Sequence, residues 1–336
     1  MPKTILEVTD LKKHFTYGKG LFSSFKDRQP FIPAVDGVSF YLKENETMGL
    51  VGESGCGKTT IGRTVLRLEK PTSGQIIFDG KDITRVPTHE LRQLRSQMQM
   101  IFQDLDAALN PKMRIRDILS EAITVHHPMS DAEVEKRISE LLEQVNLKKS
   151  KLSNFPHELS GGEKRRVGVA RVLSVGAKFI VADEPTSALD VSIQAQVVNL
   201  LRDLQMRLGL SYLFISHDLR VVELVSHKVA VMYLGKIVEI GLSDRIASRA
   251  SHPYTHILWS SLAEKQSREA AQRSRSGPAG QWGVFDFERP AAGCRFAPRC
   301  PVYEFKGKPE ICTAPSSEPQ LKDIGEAHQV ACHFPL

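Results

Sequence analysis

The order of apolar and polar residues predicts strands first, and then an alternation of strands and helices. Residues 5–15 and 31–52 have the composition of short strands and contain turn signals. The strand-like segment 46–51 leads directly into a glycine-rich turn. The residues after this turn carry apolar side chains at helical spacing and then reach a proline and a glycine, so a helix should follow the turn and end there.

A helical segment separates this region from a second one that is rich in strands. Residues 112–157 have helical periodicity and few β-branched runs, which predicts an inserted helical subdomain at about 105–170. From 178 to 234 the pattern is strand, helix, strand, helix and strand. Such an alternation is typical of an α/β core with a mainly parallel sheet.

The composition changes after this core. Between 264 and 290 the chain is rich in Gln, Ser, Arg, Gly and Ala and has little apolar periodicity, which is typical of a linker. We therefore divide the chain into a core at 1–250, a linker at 251–290 and an extension at 291–336. The extension contains four of the five cysteines.

The composition itself is that of an ordinary globular protein. The chain has 336 residues, of which 41% are hydrophobic and 25% are charged. The longest apolar runs are far shorter than the 18 or so residues that a bilayer-spanning helix needs. The start of the chain has acidic residues where a secretory signal would need an apolar stretch, so we expect a cytosolic location.

The net charge of +6 does not identify a binding partner, because nucleic acid, a membrane surface or a phosphate-bearing ligand would all be compatible with it. Lys164, Arg165 and Arg166 form the densest basic run. A short basic run on a helix is usually a solvated face, and we expect this one to be exposed. Nucleic acid is not an expected partner.

The glycine-rich turn fits the phosphate-binding pattern G-x-x-x-x-G-K-[ST] and lies between a strand and a helix, as that pattern requires. Its glycines let backbone N–H groups surround phosphates at a helix N-terminus. Lys58 should reach the terminal phosphates, and the Thr59 hydroxyl should bind Mg²⁺. Cys56 should serve as a small side chain, with an oxidation-sensitive switch as the alternative. The expected nucleotide contacts are Gly52, Ser54, Gly55, Cys56, Gly57, Lys58, Thr59 and Thr60.

Two adjacent carboxylates supply the second half of such a site. Asp183 and Glu184 follow the apolar strand that begins at Phe179. Asp183 should hold the Mg²⁺ shell together with Thr59. Glu184 should project from the strand end and act as the general base on the attacking water.

The segment Leu159–Glu163 reads LSGGE and resembles the signature sequence of ABC-transporter ATPases. Gln103 resembles the Q-loop glutamine of that family, Ser187–Asp190 its D-loop and His217 its switch histidine, in the family's order and spacing. The resemblance implies an α/β P-loop NTPase core of ABC type. The chain would then have a mainly parallel sheet, an N-terminal antiparallel β portion, the inserted helical subdomain and a small Cys-containing extension.

The resemblance also implies roles for individual residues. Gln103 would contact Mg²⁺ and the water and would connect to a membrane partner, while His217 would contact the γ-phosphate. Together with Glu184 and Lys58 they form the expected catalytic set. Phe15 would stack on adenine, although Tyr17 could take this role instead.

The signature begins a helix with a serine and two glycines, which makes a second anion site at a helix N-terminus. By resemblance, this site closes over ATP held by the P-loop of a partner subunit, so that hydrolysis requires a dimer. The residues expected to act on the partner's ATP are Ser160, Gly161, Gly162 and Asp190. The family usually has Gln where this chain has Glu163, and we do not expect this difference to abolish activity.

The four cysteines of the extension have the spacing C-x5-C-x11-C-x19-C. In a cytosolic chain such a group more often binds metal than forms disulfides, so Cys294, Cys300, Cys312 and Cys332 are candidate metal ligands. Four thiolates suit either a [4Fe–4S] cluster or tetrahedral zinc, and the absence of a C-x2-C pair argues mildly against a zinc ribbon.

The segments around these cysteines and HPYT at 252–255 resemble the C-terminal extension of oligopeptide and dipeptide importer ATPases. In that subfamily the cysteines are associated with an iron–sulfur cluster, which we expect here, with zinc or unmetallated thiols as alternatives. The expected function is ATP hydrolysis that drives uptake of di- or oligopeptides, or similar small oligomers, with ATP, Mg²⁺ and a [4Fe–4S] cluster as cofactors.

The expected partners are a related ATPase subunit in a heterodimer, two transmembrane permeases and an extracytoplasmic substrate-binding protein. The chain would then lie peripherally on the cytoplasmic face of the cell membrane. One alternative is an ATPase of the same subfamily that serves a soluble enzyme complex. Another is a nucleic-acid- or ribosome-associated ABC protein, but such proteins generally carry two cassettes or long coiled-coil arms.

Overall fold

The computed structural model describes residues 3–16, 31–103, 108–125, 129–187, 189–261 and 292–336. A four-stranded sheet and an eight-stranded sheet form the framework of this part of the chain. The strands are β1 (Thr4–Thr16), β2 (Phe31–Lys43), β3 (Thr47–Val51), β4 (Ser73–Phe78), β5 (Lys81–Asp82), β6 (Met98–Ile101), β7 (Phe179–Asp183), β8 (Ser211–Ile215), β9 (Lys228–Tyr233), β10 (Lys236–Leu242), β11 (Lys322–Asp323) and β12 (Gln329–Val330).

Helices flank the larger sheet and follow most of its strands. They are α1 (Lys58–Val65), α2 (Thr88–Leu94), α3 (Ile115–Thr124), α4 (Asp131–Gln144), α5 (Gly161–Leu173), α6 (Val191–Leu208), α7 (Leu219–Val225), α8 (Ser243–Ser248), α9 (253–261) and α10 (Pro301–Phe305). Within the described ranges, no helix combines the length and apolarity that crossing a bilayer demands.

The smaller sheet has the order β2-β1-β4-β5 and is antiparallel throughout. The larger sheet has the order β11-β12-β10-β9-β3-β8-β7-β6, in which β9, β3, β8, β7 and β6 are mutually parallel. The predicted N-terminal antiparallel portion and mainly parallel core sheet are therefore confirmed. The strands β11 and β12 belong to the extension and continue this sheet beyond β10.

The strands of the central sheet are buried on both faces. Along β7, Phe179 and Val181 belong to the core shared with the antiparallel sheet, whereas Ile180 and Ala182 belong to the core beneath the helices. Because successive strand residues point to opposite faces, a fully apolar strand is the expected result of covering both sides. The second core also includes α3, α4 and α5, the helices that lie in the predicted helical subdomain.

The segment that we predicted as a linker begins as part of the folded core. Residues 251–255 are buried, and α9 contributes Tyr254 and Trp259 to the core beneath the helices. The composition shift begins only at 264, so composition gave no reason to place the linker's start earlier. Residues 262–291, which include all of the rest of the predicted linker, lie outside the described residues.

Candidate nucleotide-binding site

The parallel strands bring the predicted site residues to one edge of the sheet. The P-loop follows β3, Gln103 follows β6, Asp183 ends β7 and His217 follows β8. These strands are neighbours and run in the same direction, so their carboxyl ends coincide. Ligands of open α/β sheets bind at this edge.

The P-loop turns sharply between β3 and α1, and its glycines allow this. Gly57 has φ +108°, and a Cβ there would lie 2.1 Å from the carbonyl oxygen of Ala34. Gly52 has φ +151°, and a Cβ there would lie 2.2 Å from the carbonyl oxygen of Met232. The loop therefore passes too close to neighbouring backbone to accept any side chain at these two positions.

Lys58 and Thr59 begin α1, where the backbone N–H groups of a helix N-terminus are free to bind an anion. The Lys58 ammonium donates hydrogen bonds to the carbonyl oxygens of Gly52, at 2.7 Å, and Glu53, at 2.9 Å. The Thr59 hydroxyl donates to Oδ1 of Asp183 at 3.0 Å. Two of the three residues predicted to hold Mg²⁺, Thr59 and Asp183, thus lie side by side, as a shared shell would require.

Asp183 is only 2% exposed. Burial raises the pKa of its carboxyl group, the hydrogen bond from Thr59 lowers it, and the nearby charge of Glu184 raises it further. The net pKa is above the ordinary value. A buried carboxylate of this kind is costly to keep ionised without a cation, so its environment suits a group that holds Mg²⁺.

Glu184 lies between two of the other predicted catalytic side chains, Gln103 and His217. One of its carboxylate oxygens is 3.2 Å from Nε2 of Gln103, and the other is 3.2 Å from Nδ1 of His217. Glu184 itself has φ +46°, in the left-handed region that a residue with a Cβ rarely adopts. The turn after β7 thus holds this carboxylate in one defined place, which suits a general base.

The signature segment forms the N-terminus of α5. Ser160 accepts a hydrogen bond from the backbone N–H of Glu163 at 3.3 Å, and the Glu163 carboxylate accepts one from the N–H of Ser160 at 3.0 Å. This is a capping box, which either Glu or Gln can complete. The Glu163 carboxylate also pairs with Lys151 at 3.0 Å. The hydrogen bond from the Ser160 N–H and the pairing with Lys151 lower the pKa of Glu163, so it is ionised at neutral pH.

Asp190 has a local role that the sequence reasoning did not assign. Its side chain caps α6 by accepting hydrogen bonds from the N–H of Ile193, at 2.9 Å, and from the Ser192 hydroxyl, at 2.6 Å. A Cβ at Gly162 would lie 2.9 Å from Cγ2 of Ile193. The N-termini of α5 and α6 therefore pack closely, which places the signature beside the D-loop.

The prediction of a solvated basic face at 164–166 was wrong for Arg165, which is only 5% exposed. Its guanidinium donates to the carbonyl oxygens of Phe102 and Gln103, at 3.2 and 3.4 Å, and to that of Ser187, at 3.4 Å. Burial lowers its pKa. Arg165 thus ties the signature helix to both the Q-loop and the D-loop, and no periodicity in the sequence indicates this.

Phe15, the predicted adenine platform, lies near the end of β1 with 39% of its surface exposed. The ammonium of Lys13 lies 4.7 Å from the centre of its ring. An exposed ring of this kind can accept a stacked base. The alternative, Tyr17, lies outside the described residues.

Comparison with known proteins agrees with this geometry. Residues 35–187 match the ABC transporter family, and residues 238–305 match the oligopeptide/dipeptide transporter C-terminal region. The oligopeptide transport ATP-binding protein AppF of Bacillus subtilis is 45% identical over 333 residues, which are 99% of this chain and 98% of that protein. This chain belongs to the ABC transporter ATPases.

Further comparisons support the same family. The oligopeptide transport ATP-binding protein OppF of Bacillus subtilis is 46% identical over 264 residues, covering 78% of this chain and 83% of that one. A dimeric post-hydrolysis structure of the cassette MJ0796 with ADP and phosphate has a TM-score of 0.63 and 25% identity, covering 71% of this chain and 99% of that one. The predicted family and ABC-type fold are confirmed, and the chain is an ATPase that couples ATP hydrolysis to transport.

The extension of this ABC ATPase gathers its cysteines. Cys294, Cys300, Cys312 and Cys332 all line one small cavity, and none forms a disulfide. Burial raises the pKa of three of these thiols, that of Cys332 to about 11. Across the described part of the chain, no three Cys, His, Asp or Glu side chains are arranged so that they could hold a metal ion.

The extension also contacts the P-loop, which the sequence reasoning missed. Arg299 pairs with Glu53, and the N–H of Glu53 donates to the hydroxyl of Tyr254 at 3.0 Å. The sequence offered two partial signals. Glu53 lies inside the phosphate-binding pattern, and HPYT and CRFAPRC both resemble segments of the same subfamily. Neither motif indicates that the two would meet.

Proposed function

We propose that this ABC ATPase energises the uptake of di- or oligopeptides, or of similar small oligomers, by an importer. Peptide cargo is supported by the names of its relatives and by the match to the oligopeptide/dipeptide transporter C-terminal region. The single structural observation that carries the catalytic assignment is the Glu184 carboxylate between Gln103 and His217, next to the pair formed by Thr59 and Asp183.

Each of the site residues has its own role in the proposed hydrolysis. The P-loop N–H groups and Lys58 bind the phosphates, and Thr59, Asp183 and Gln103 would hold Mg²⁺. Mg²⁺ offsets the negative charge that develops on the phosphates. Glu184 accepts a proton from the water that attacks the γ-phosphorus, while the bond between that phosphorus and the bridging oxygen of the β-phosphate breaks and ADP leaves. His217 orients the Glu184 carboxylate and contacts the γ-phosphate. Phe15 stacks on the adenine.

Hydrolysis takes place in a dimer, in our proposal a heterodimer with a related ATPase subunit. Ser160, Gly161, Gly162 and Asp190 act on the nucleotide that the partner's P-loop holds. The start of α5 supports this, because its N-terminal N–H groups and its two glycines form an anion site without a bulky side chain. ATP closes the dimer, and hydrolysis resets it.

The dimer works beneath two permeases, to which an extracytoplasmic protein delivers the cargo, and lies on the cytoplasmic face of the cell membrane. An open cavity beside the Q-loop supports a docking site for a permease. It lies between the end of β6 and the helical subdomain and is lined by Phe102, Met113, Ile118 and Val172 among others. Gln103, adjacent to this cavity, contacts Glu184, so a permease there would touch the loop that reaches the catalytic carboxylate.

We further propose that the four cysteines of the extension hold a [4Fe–4S] cluster. Their convergence on one cavity supports this, although binding would require the cysteine side chains to rearrange and to lose their thiol protons. Such a cluster would supply iron–sulfur redox chemistry to the extension. Iron and sulfide analysis of anaerobically purified protein tests this proposal. We expect iron and sulfide in the wild-type chain and the loss of both in Cys312→Ser. Zinc without sulfide, or neither metal in the wild-type chain, would rule the cluster out.

The decisive test of the catalytic and transport assignments uses the ATPase co-purified with its permeases and partner ATPase. We expect turnover that requires Glu184, rises with the permeases, and rises again when the binding protein is loaded with peptide but not with an oligosaccharide. Turnover independent of Glu184 would contradict the site assignment. Stimulation by the oligosaccharide alone would contradict peptide cargo.

A further inference from the structure

The second residue of the P-loop, Glu53, is bound by two residues of the C-terminal part of the chain. Nη1 and Nη2 of Arg299 each lie 2.9 Å from one oxygen of the Glu53 carboxylate, in a two-pronged contact. The backbone N–H of Glu53 donates to the hydroxyl of Tyr254. Arg299 of the extension and Tyr254 of α9 thus hold one end of the phosphate-binding loop.

Arg299 is itself held in place. Its guanidinium lies 5.8 Å from the centre of the Tyr233 ring and 3.5 Å from the Tyr233 hydroxyl. Tyr233 in turn packs against Tyr254, at 4.7 Å between ring centres, and against Phe296, at 5.3 Å. The contact with Glu53 raises the pKa of Arg299, so it is always charged. A two-pronged pair on a packed aromatic support has a defined geometry, unlike a mobile surface pair.

Glu53 passes this constraint on to the catalytic lysine. The Lys58 ammonium donates to the carbonyl oxygens of both Gly52 and Glu53. Glu53 is therefore held at its carboxylate, its N–H and its carbonyl oxygen by three different residues. A shift of Glu53 would move the backbone that surrounds Lys58, because these atoms belong to one tight turn.

We propose that Arg299 is a positioning residue of the nucleotide site, which holds the P-loop in its binding shape through Glu53 and thereby sets the affinity for ATP. Two effects act in the same direction. Loss of Arg299 frees the loop, which must then be ordered when the nucleotide binds. It also leaves the Glu53 carboxylate uncompensated beside a loop that binds a highly negative triphosphate.

The test measures the Kd of the full-length chain for Mg²⁺ with a non-hydrolysable ATP analogue. Arg299→Ala should weaken binding about three- to tenfold, and Arg299→Lys, which keeps the charge but not the two-pronged contact, should lose less. The role acts through Glu53, so Arg299→Ala should change the Kd less than twofold when Glu53→Gln is already present. The kcat at saturating ATP should stay within about twofold of wild type, because no catalytic side chain is touched.

Arg295 provides a matched control in the same loop. It contacts Asp36 and the carbonyl oxygen of Leu234 and pairs with Glu318 at 3.0 Å, and none of these three partners is a P-loop residue. Arg295→Ala should lower the Tm but leave the analogue Kd within about twofold of wild type. The inference is overturned if Arg299→Ala leaves the Kd unchanged, if Glu53→Gln does not suppress its effect, or if Arg295→Ala weakens binding equally.

This inference rests on the proposed assignment of the nucleotide to the P-loop, and Lys58→Ala separates the two. If Lys58→Ala binds the analogue as well as wild type, the site assignment itself is wrong. If Lys58→Ala loses binding and Arg299→Ala does not weaken it, only the role of Arg299 is wrong. Should Arg299→Ala not fold, Arg299→Lys with and without Glu53→Gln answers the same question, with an expected loss of about two- to threefold.

Discussion

Nδ1 of His217 lies 3.2 Å from a carboxylate oxygen of Glu184, and the side chain of His217 is 64% exposed. His217 thus contacts the Glu184 carboxylate and still has an exposed surface, which a nucleotide bound at this edge of the sheet could reach. An exposed histidine can also contact a phosphate there without displacing any core residue. In the proposed mechanism, His217 can therefore both orient the base and contact the γ-phosphate.

Replacement of the base should stop turnover without stopping binding. We expect Glu184→Gln to lower kcat by about 10²- to 10⁴-fold, because the amide keeps the shape but cannot accept the proton of the water. The Kd for MgATP should change little. Glu223→Gln, the same change at an exposed position of α7, serves as the control and should leave both constants unchanged. Equal activity of Glu184→Gln and wild type would exclude Glu184 as the base.

Removal of the buried charge at Asp183 should raise stability while destroying activity. Burial is the main reason why the pKa of Asp183 is raised, so its ionised form is unfavourable in the folded chain. In EDTA at neutral pH, Asp183→Asn should raise the Tm by roughly 1–3 °C. Added Mg²⁺ and ATP should stabilise the wild type more than the variant. A lower Tm of the variant in EDTA would contradict this account.

Alanine substitutions at Gly80, outside the P-loop, and at Gly57, inside it, should separate the cost of backbone strain from that of steric overlap. Gly80 and Gly57 both have positive φ, but a Cβ at Gly80 meets nothing within 4 Å, whereas at Gly57 it overlaps the Ala34 carbonyl. We expect Gly80→Ala to cost about 1 kcal/mol of unfolding free energy and Gly57→Ala at least twice as much. Gly57→Ala should also lose nucleotide binding. Denaturant unfolding with a binding titration measures both effects.

The contact between the extension and the core should respond to acid. Burial alone would raise the pKa of Asp36, but its hydrogen bond and charge interaction with Arg295, together with Lys236, bring the pKa below the ordinary value. A depressed carboxyl pKa stabilises the fold above the pKa of the unfolded chain, about 3.9, and this stabilisation is lost as the pH falls below it. Between pH 5 and 3, the Tm of Asp36→Asn should therefore fall less steeply than that of wild type. Parallel curves would contradict this role for the pair.

The unusual glutamate of the signature should be replaceable by the family's usual residue. Gln at 163 can complete the same capping box with Ser160 and gives up only the half-exposed pair with Lys151. Glu163→Gln should therefore retain kcat within about twofold, whereas Glu163→Ala, which cannot complete the box, should lower the Tm. A large loss of activity in Glu163→Gln would show that the negative charge itself is needed.

Local patterns indicated the P-loop and the acidic pair after β7, and the family resemblance added Gln103 and His217. The P-loop, the acidic pair after β7 and the residues after β6 and β8 each lie at a strand end that the apolar pattern marks. Parallel strands must then bring these ends to one edge of the sheet. The start of the linker was harder to place, because α9 is buried through contacts with distant residues rather than through its own composition.

The sequence by itself determined the alternation of strands and helices, the order of the motifs and the residue types that the chemistry needs. These properties depend on periodicity and on short spacings, which are local. Only the tertiary structure decided that Arg165 is buried among the carbonyls of the Q-loop and D-loop and that Arg299 reaches Glu53. Side chains that donate to backbone or to a partner more than 200 residues away leave no periodic signal, because their environment is created by the folding of the whole chain.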